Sequence, residues 1–180
     1  GAMFVGKVLS EVVRITVQTL IILVLGFGLL WLKAGASVGS YVQTGVAGIV
    51  GIVAITVIFG GVFMAYSNIV ALVTRDREAT IMIANLLTFP LLFVSSAFVP
   101  LEVLPNWIQA VAVMNPITYG VDAIRALMLG QDVLSVFAVT VFGGFWNTLV
   151  PAVAVLVGFL LLLGSIAVHL LDNASKSEVE

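Results

Sequence analysis

The sequence predicts an all-α integral membrane protein: four transmembrane helices, with a re-entrant or interfacial helical hairpin between the third and fourth. Three observations carry this. First, 62% of the 180 residues are hydrophobic and only 9% are charged, against about 25% charged in a soluble domain, which leaves too little polar surface to cover a globule in water. Second, the chain contains long uncharged stretches, and about 20 apolar residues cross a bilayer as a helix. Third, two short, well-capped helical segments lie between the last two such stretches, each too short to cross.

Gly1-Ala2-Met3 reads as a protease-cleavage scar of expression and is set apart, leaving 4–180 as a single transmembrane domain. The first apolar stretch is too long for a secretory signal and lacks a small-residue cleavage site. From Ile15 to Leu32 no residue is charged, and Lys33 closes this first span. After the polar, Gly-rich "AGASVGSYVQTG" the second span runs over about 42–73, longer than a hydrocarbon core of roughly 30 Å needs. It must tilt, break or protrude, and Gly60-Gly61 is the expected weak point. The third span is expected over about 80–98 with Pro90 in its middle, a kink that a neighbouring helix or water must accommodate. The fourth covers about 148–171, with Pro151 suited to its first turn.

Lys7, Arg14, Arg75, Arg77 and Lys176 fall on one side of this topology, and Lys33 and Arg125 on the other. The basic excess places the first group, and with it both termini, on the cytoplasmic side of the cell membrane. Trp31, Trp107, Trp146 and Tyr41 fall near the opposite, outer boundaries, as an aromatic belt requires.

The outer hairpin is expected over about 103–130. Pro105 to Met114 reads as a helix of about 15 Å, half a bilayer. In "NPITYGVDAIRALMLG", Asn115 is a good N-cap, Pro116 suits the first helical position and Gly130 suits the stop. Ile117, Val121, Ile124 and Met128 share one face of this second helix. Asp122 and Arg125, three residues apart, can neutralise each other. Either they form a weak solvated pair on an outer surface, or, with Asn115 and Tyr119, they fix a gate at the outer end of a substrate path, since ionisable groups at membrane depth face a cavity or a partner. "VLSVFAVTVFGGFWN", Val133 to Asn147, is apolar but interrupted by Gly143-Gly144, and reads as interfacial.

Two further features carry paired readings. Arg75, Asp76, Arg77 and Glu78 make the densest charge cluster, which either anchors a cytoplasmic turn or offers a soluble partner a grip. Gly45, Gly48 and Gly51 put small residues along one side of span two, for close packing within one subunit or across a subunit interface. His169 has no carboxylate or second histidine at ligand spacing and reads as a helix-end residue near headgroups.

The chain has no Cys, so neither disulfide nor thiolate chemistry enters. It lacks a phosphate-binding glycine loop, a metal set and a nucleophile with a base. No catalytic residue, metal or cofactor is therefore assigned, and no basic patch points to nucleic acid. An intramembrane enzyme is disfavoured. If something crosses the membrane here, another protein must supply the energy.

The stretch "SSAFVPLEVLPNWIQAVAVMNPITYGVDAIRALMLG", Ser95 to Gly130, resembles the permease subunits of type-2 ATP-binding-cassette exporters, the group of drug, lipid and polysaccharide exporters. The likeness lies in Ser95, Ser96 and Pro100 closing a span, Pro105 and Trp107 opening a short helix, then Asn115, Pro116 and Tyr119, and Arg125 before Gly130. It implies a homo- or heterodimeric permease in membrane lipid, with two cytoplasmic ATPase subunits driving it. The hairpin (Pro105, Trp107, Asn115, Pro116, Tyr119, Asp122, Arg125) would form the outer gate, and the Arg75–Glu78 turn would lie on the ATPase side. Such permeases have six spans, and "GKVLSEVVRITVQTL" looks like the start of the third, so the chain corresponds to a C-terminal four-span portion without the main ATPase-coupling helix. The rival expectation is a non-transporting membrane scaffold or assembly protein that acts through helix packing.

Overall fold

The computed structural model describes residues 2–35 and 41–177, with the side chains of 2–5, 7, 34 and 172–177 left aside. The secondary structure of these residues is helical: α1 (Ala2–Ala34), α2 (Gly45–Thr74), α3 (Arg77–Phe93), a 3₁₀ turn (Leu101–Val103), α4 (Asn106–Ala112), α5 (Pro116–Leu129) and α6 (Trp146–Ser177). Among the described residues three helices are long and apolar enough to cross a membrane, over Val8–Lys33, Gly45–Thr74 and Trp146–Leu171. The chain is a multi-pass membrane protein.

The directions of the helices follow from their contacts. A Cβ built on Gly26 would meet Tyr41, and one on Gly60 would meet Ile15, so α1 and α2 run antiparallel. Gly61 faces Leu160, while Gly48 and Gly51 line a cavity with Phe145 and Trp146, so α2 and α6 run parallel. The start of α1, the Arg75–Glu78 turn and the end of α6 therefore share one end of the bundle.

Two expectations change here. The α2 helix does not break at Gly60-Gly61; it is continuous over 30 residues, about 45 Å. The two glycines are instead sites of close approach: Ile15 Cδ1 occupies the place a Cβ of residue 60 would need, and Leu160 Cδ1 lies 3.1 Å from where one of residue 61 would sit. Small residues admit neighbouring helices without interrupting the backbone ladder. Second, the helix of the third span does not run to 98. It ends at Phe93, one turn beyond Pro90, so the proline sits near its end rather than in its middle. One donor is local and one is distant: Ser95 Oγ donates to the Leu92 carbonyl (2.6 Å) and Asn115 Nδ2, 24 residues on, to that of Leu91 (2.5 Å), so side chains take up carbonyls that a helix end leaves orphaned.

The core forms where α5 lies between α2 and α6: Ile52 and Ile55, Tyr119, Ala123 and Leu127, and Ala152 and Leu156 meet there. The α5 helix runs antiparallel to α2, because Leu127 touches Gly51 while Gly120 faces Phe59. Its C-terminal end is pinned to the start of α2: Gln43 N donates to Met128 O (2.8 Å) and Thr44 Oγ1 to Leu127 O (2.5 Å). Its other end, with Met114 and Pro116, lies beside Val62, Tyr66, Phe159 and Leu163. These residues sit near the midpoints of the two long helices, so α5 covers about half their length.

The apolar stripe Ile117–Val121–Ile124–Met128 is not the buried face of α5. Only Ile117 of the four is buried, whereas Thr118, Tyr119, Asp122, Ala123 and Ala126 are. Small residues let α2 and α6 approach, and the larger stripe is left half-buried at their edges.

Candidate functional site

The hairpin is built by caps. At the head of α5 the Asn115 side chain accepts from Ile117 N (3.0 Å), Pro116 occupies the first turn, and Gly130 closes the helix in the left-handed conformation (φ 63). Asn115 is fully buried, and its amide also ties α5 to the end of α3 through Leu91 O. Tyr119 Oη donates to Val113 O (2.7 Å), joining α5 to the end of α4. Pro105 is the N-cap of α4, which starts one residue later than expected, and Trp107 on α4 is exposed.

Asp122 is the centre of the site. It is 0% exposed, and both carboxylate oxygens are engaged. Ser96 Oγ donates to Oδ1 (2.7 Å), and Ser135 donates to Oδ2 through N (2.9 Å) and Oγ (2.6 Å). One side chain thus joins the turn after α3, the α5 helix and the segment after α5. This removes the solvated surface pair. Arg125 lies at 4.0 Å from Asp122 Oδ1, the outer limit of an ion pair, is partly exposed, and donates to Ala97 O (3.3 Å). The spacing of three residues brings them onto one side of the helix, but hydroxyl and amide donors, rather than the guanidinium, serve the carboxylate. Together Asp122 and Arg125 clamp the Ser95–Ala97 turn.

A second polar cluster joins the segment 131–145 to α6. Thr148, fully buried, accepts from Val133 N (2.8 Å) and donates to Asp132 Oδ1 (2.6 Å). Asn147 Oδ1 accepts from Phe142 N (2.9 Å) and Gly143 N (2.8 Å), a geometry reached through Gly143 and Gly144 at φ 81 and 55. The Thr148 hydroxyl holds the Asp132 carboxyl below its ordinary range, helped by Leu134 N–H and the Asn147 side chain and opposed by burial. A lowered folded pKa stabilises this connection above the unfolded value, about 4, and the contribution is lost as pH falls through the folded pKa. Thermal unfolding of wild type and Asp132→Asn should therefore differ at neutral pH, and the difference should shrink as pH falls past about 4 and vanish once it is below the lowered folded pKa; a difference that persists there would refute it.

The sequence-predicted residues divide by place. Asn115, Pro116, Tyr119, Asp122 and Arg125 lie together on α5 or its cap. Arg75, Asp76, Arg77 and Glu78 form an exposed turn at the opposite end of the bundle, where Arg75 ends α2 at φ 53 and Asp76 caps α3 by accepting from Glu78 N (2.9 Å). Gly51 meets Leu127 of the hairpin, Gly48 meets Thr44 and Val42 within its own turn, and Gly45 starts α2 at φ 66. The sequence reading missed Ser135, Asp132, Asn147 and Thr148. Their one signal was polarity within an apolar run. Residues 133–145 form no helix, and Trp146 and Asn147 begin α6; Leu134, Val136 and Phe145 pack against the core.

The ABC-2 type transporter family matches residues 1–129. A daunorubicin resistance ABC transporter permease protein of Streptomyces coeruleorubidus is 27% identical over 146 residues, 81% of this chain and 44% of that protein. A probable doxorubicin resistance ABC transporter permease protein of Mycobacterium tuberculosis is 27% identical over 131 residues, 73% of this chain and 44% of its own length. A putative transport permease of Cyanophora paradoxa is 37% identical over 62 residues, 34% of this chain and 21% of that protein. The chain spans less than half the length of each. No solved structure matches it.

Proposed function

The chain belongs to the ABC-2 type transporter family, and from that premise we propose that it supplies half of the substrate path of an ATP-driven exporter, with the α4–α5 hairpin as outer gate. The observation that carries this reading is the depth of α5. It starts beside the middle of α2 and α6 and runs back to the end where they begin, held by Asn115, Tyr119 and Asp122 rather than by apolar contact alone. A helix this short cannot cross; buried against α2 and α6 it is re-entrant, and its non-helical turn is tolerable at depth because protein surrounds it.

The remaining parts of the proposal follow. The third crossing consists of α3, 17 residues and about 25 Å long, extended by the turn that carries Ser96 and Ala97 alongside Asp122 and Arg125. This gives four crossings. The end holding the start of α1, the Arg75–Glu78 turn and the end of α6 is cytoplasmic, by the excess of Lys and Arg there. A second permease subunit encloses the path, and separate ATPase subunits drive it by drawing the cytoplasmic turns together. Substrates are apolar or amphipathic, which the charge-free central stretches of the long helices and the drug-resistance names of two relatives support.

In the complete transporter, replacing both Arg75 and Arg77 by Ala should leave ATP hydrolysis in place and reduce ATP-driven export from vesicles about tenfold, the loss of two rim charges being worth roughly 1–2 kcal/mol. Unchanged export would remove this turn from the coupling. Failure of any ATPase subunit to co-purify with the unsubstituted transporter would overturn the permease reading.

A further inference from the structure

The segment between α5 and α6 is not helical, yet five of its backbone N–H groups are bonded, and every acceptor is a side chain. Val133 N donates to Thr148, Leu134 N to Asp132, Ser135 N to Asp122, and Phe142 N and Gly143 N to Asn147. A loop in water leaves such groups to the solvent, whereas at bilayer depth each unpaired group costs several kcal/mol. The same segment and the first residue of α6 present large apolar side chains outward: Val141 is 81%, Phe142 53% and Trp146 50% exposed. Between Val133 and Asn147 there is no charged residue. The indole of Trp146 is braced by the Phe145 ring, 4.8 Å away and stacked.

We infer that 133–147 is a monotopic membrane-binding element that sits in the interface of the phospholipid bilayer at the hairpin end of the bundle. Phe142 and Trp146 enter the headgroup–acyl boundary, where amphipathic rings concentrate. Three features select lipid rather than a protein partner. The surface is uncharged, so it offers a partner no ionic register. It is continuous with the first turn of α6, a helix long and apolar enough to cross. At both of its ends, 133–135 and 142–143, side chains of the fold take up the backbone N–H groups, as non-helical chain in an apolar surrounding requires. In consequence Asp122, Thr148 and Asn147, besides holding the hairpin, fix the depth of this element. The inference rests on membrane crossing alone and not on transport or on which leaflet is outer.

The test uses the full chain in phosphatidylcholine vesicles, with Trp31 and Trp107 replaced by Phe so that Trp146 is the sole reporter. Its emission should be blue-shifted, quenched by lipids brominated near the headgroup more than by those brominated near the chain end, and little affected by aqueous iodide. Strong iodide quenching without bromolipid quenching would place the element in water and overturn the inference. Quenching by neither agent would mean that protein, such as a second copy, covers it, and would overturn it equally. Should the double variant fold poorly, the difference in bromolipid quenching between the unmodified chain and Trp146→Phe reads the same depth; no difference would refute it.

Discussion

Asp122→Ala is expected to destabilise the folded chain by about 3–4 kcal/mol, since each buried donor left unpaired costs about 1–3 kcal/mol. The substitution strands Ser96 Oγ, Ser135 N and Ser135 Oγ at once. The hydroxyls can turn toward other acceptors; the Ser135 N–H cannot. The effect should exceed that of Ser96→Ala, which removes a single donor and should cost about 1 kcal/mol. Asp122→Asn should fall between them. Its amide can still accept from Ser96, but its NH₂ would face the Ser135 N–H, two donors opposed. Thermal unfolding in detergent should rank the three as Ala, Asn, then Ser96→Ala. If Asp122→Ala unfolds with the wild type, the carboxylate is not the junction of these segments. Arg125→Ala should be the mildest change at the site, because its guanidinium is partly exposed and makes one long bond to Ala97 O.

Asn115→Ala should cost about 2–3 kcal/mol through two separable losses. Removing an N-cap acceptor costs about 1 kcal/mol, here the bond from Ile117 N. The rest comes from Leu91 O, which loses the donor that lets α3 end at depth. Asn115→Asp separates the two. It retains the cap acceptor and places negative charge at a helix N-terminus, which is favourable, but cannot donate to Leu91 O. Hydrogen exchange should then show Ile117 N–H protected in the Asp variant and unprotected in the Ala variant, with α3 loosened near Leu91 in both. Equal protection at Ile117 in all three proteins would mean that Asn115 does not cap α5.

How far the sequence could be read depended on whether an interaction is local. The long apolar helices were legible because charge is excluded from hydrocarbon, and α5 was legible to the residue because Asn115, Pro116 and Gly130 act on their own turns. Spacing of three residues brought Asp122 to Arg125 as well, but spacing only puts groups on one side of a helix. Which groups serve the carboxylate depended on Ser96 and Ser135, 26 and 13 residues away. The glycine pair at 60–61 failed as a break for the same reason, since its neighbours Ile15 and Leu160 come from other helices.

Composition and periodicity thus determined by themselves that this chain lives in a membrane, where its long helices lie and how its hairpin helix is capped, since each follows from solvation or from bonds within one turn. Only the tertiary structure decided that α3 stops at Phe93, that Asp122 is buried among hydroxyls, and that α5 begins beside the middle of α2 and α6. Those outcomes depend on donors and packing partners far apart in the chain, and nothing in the local sequence states which of them will meet.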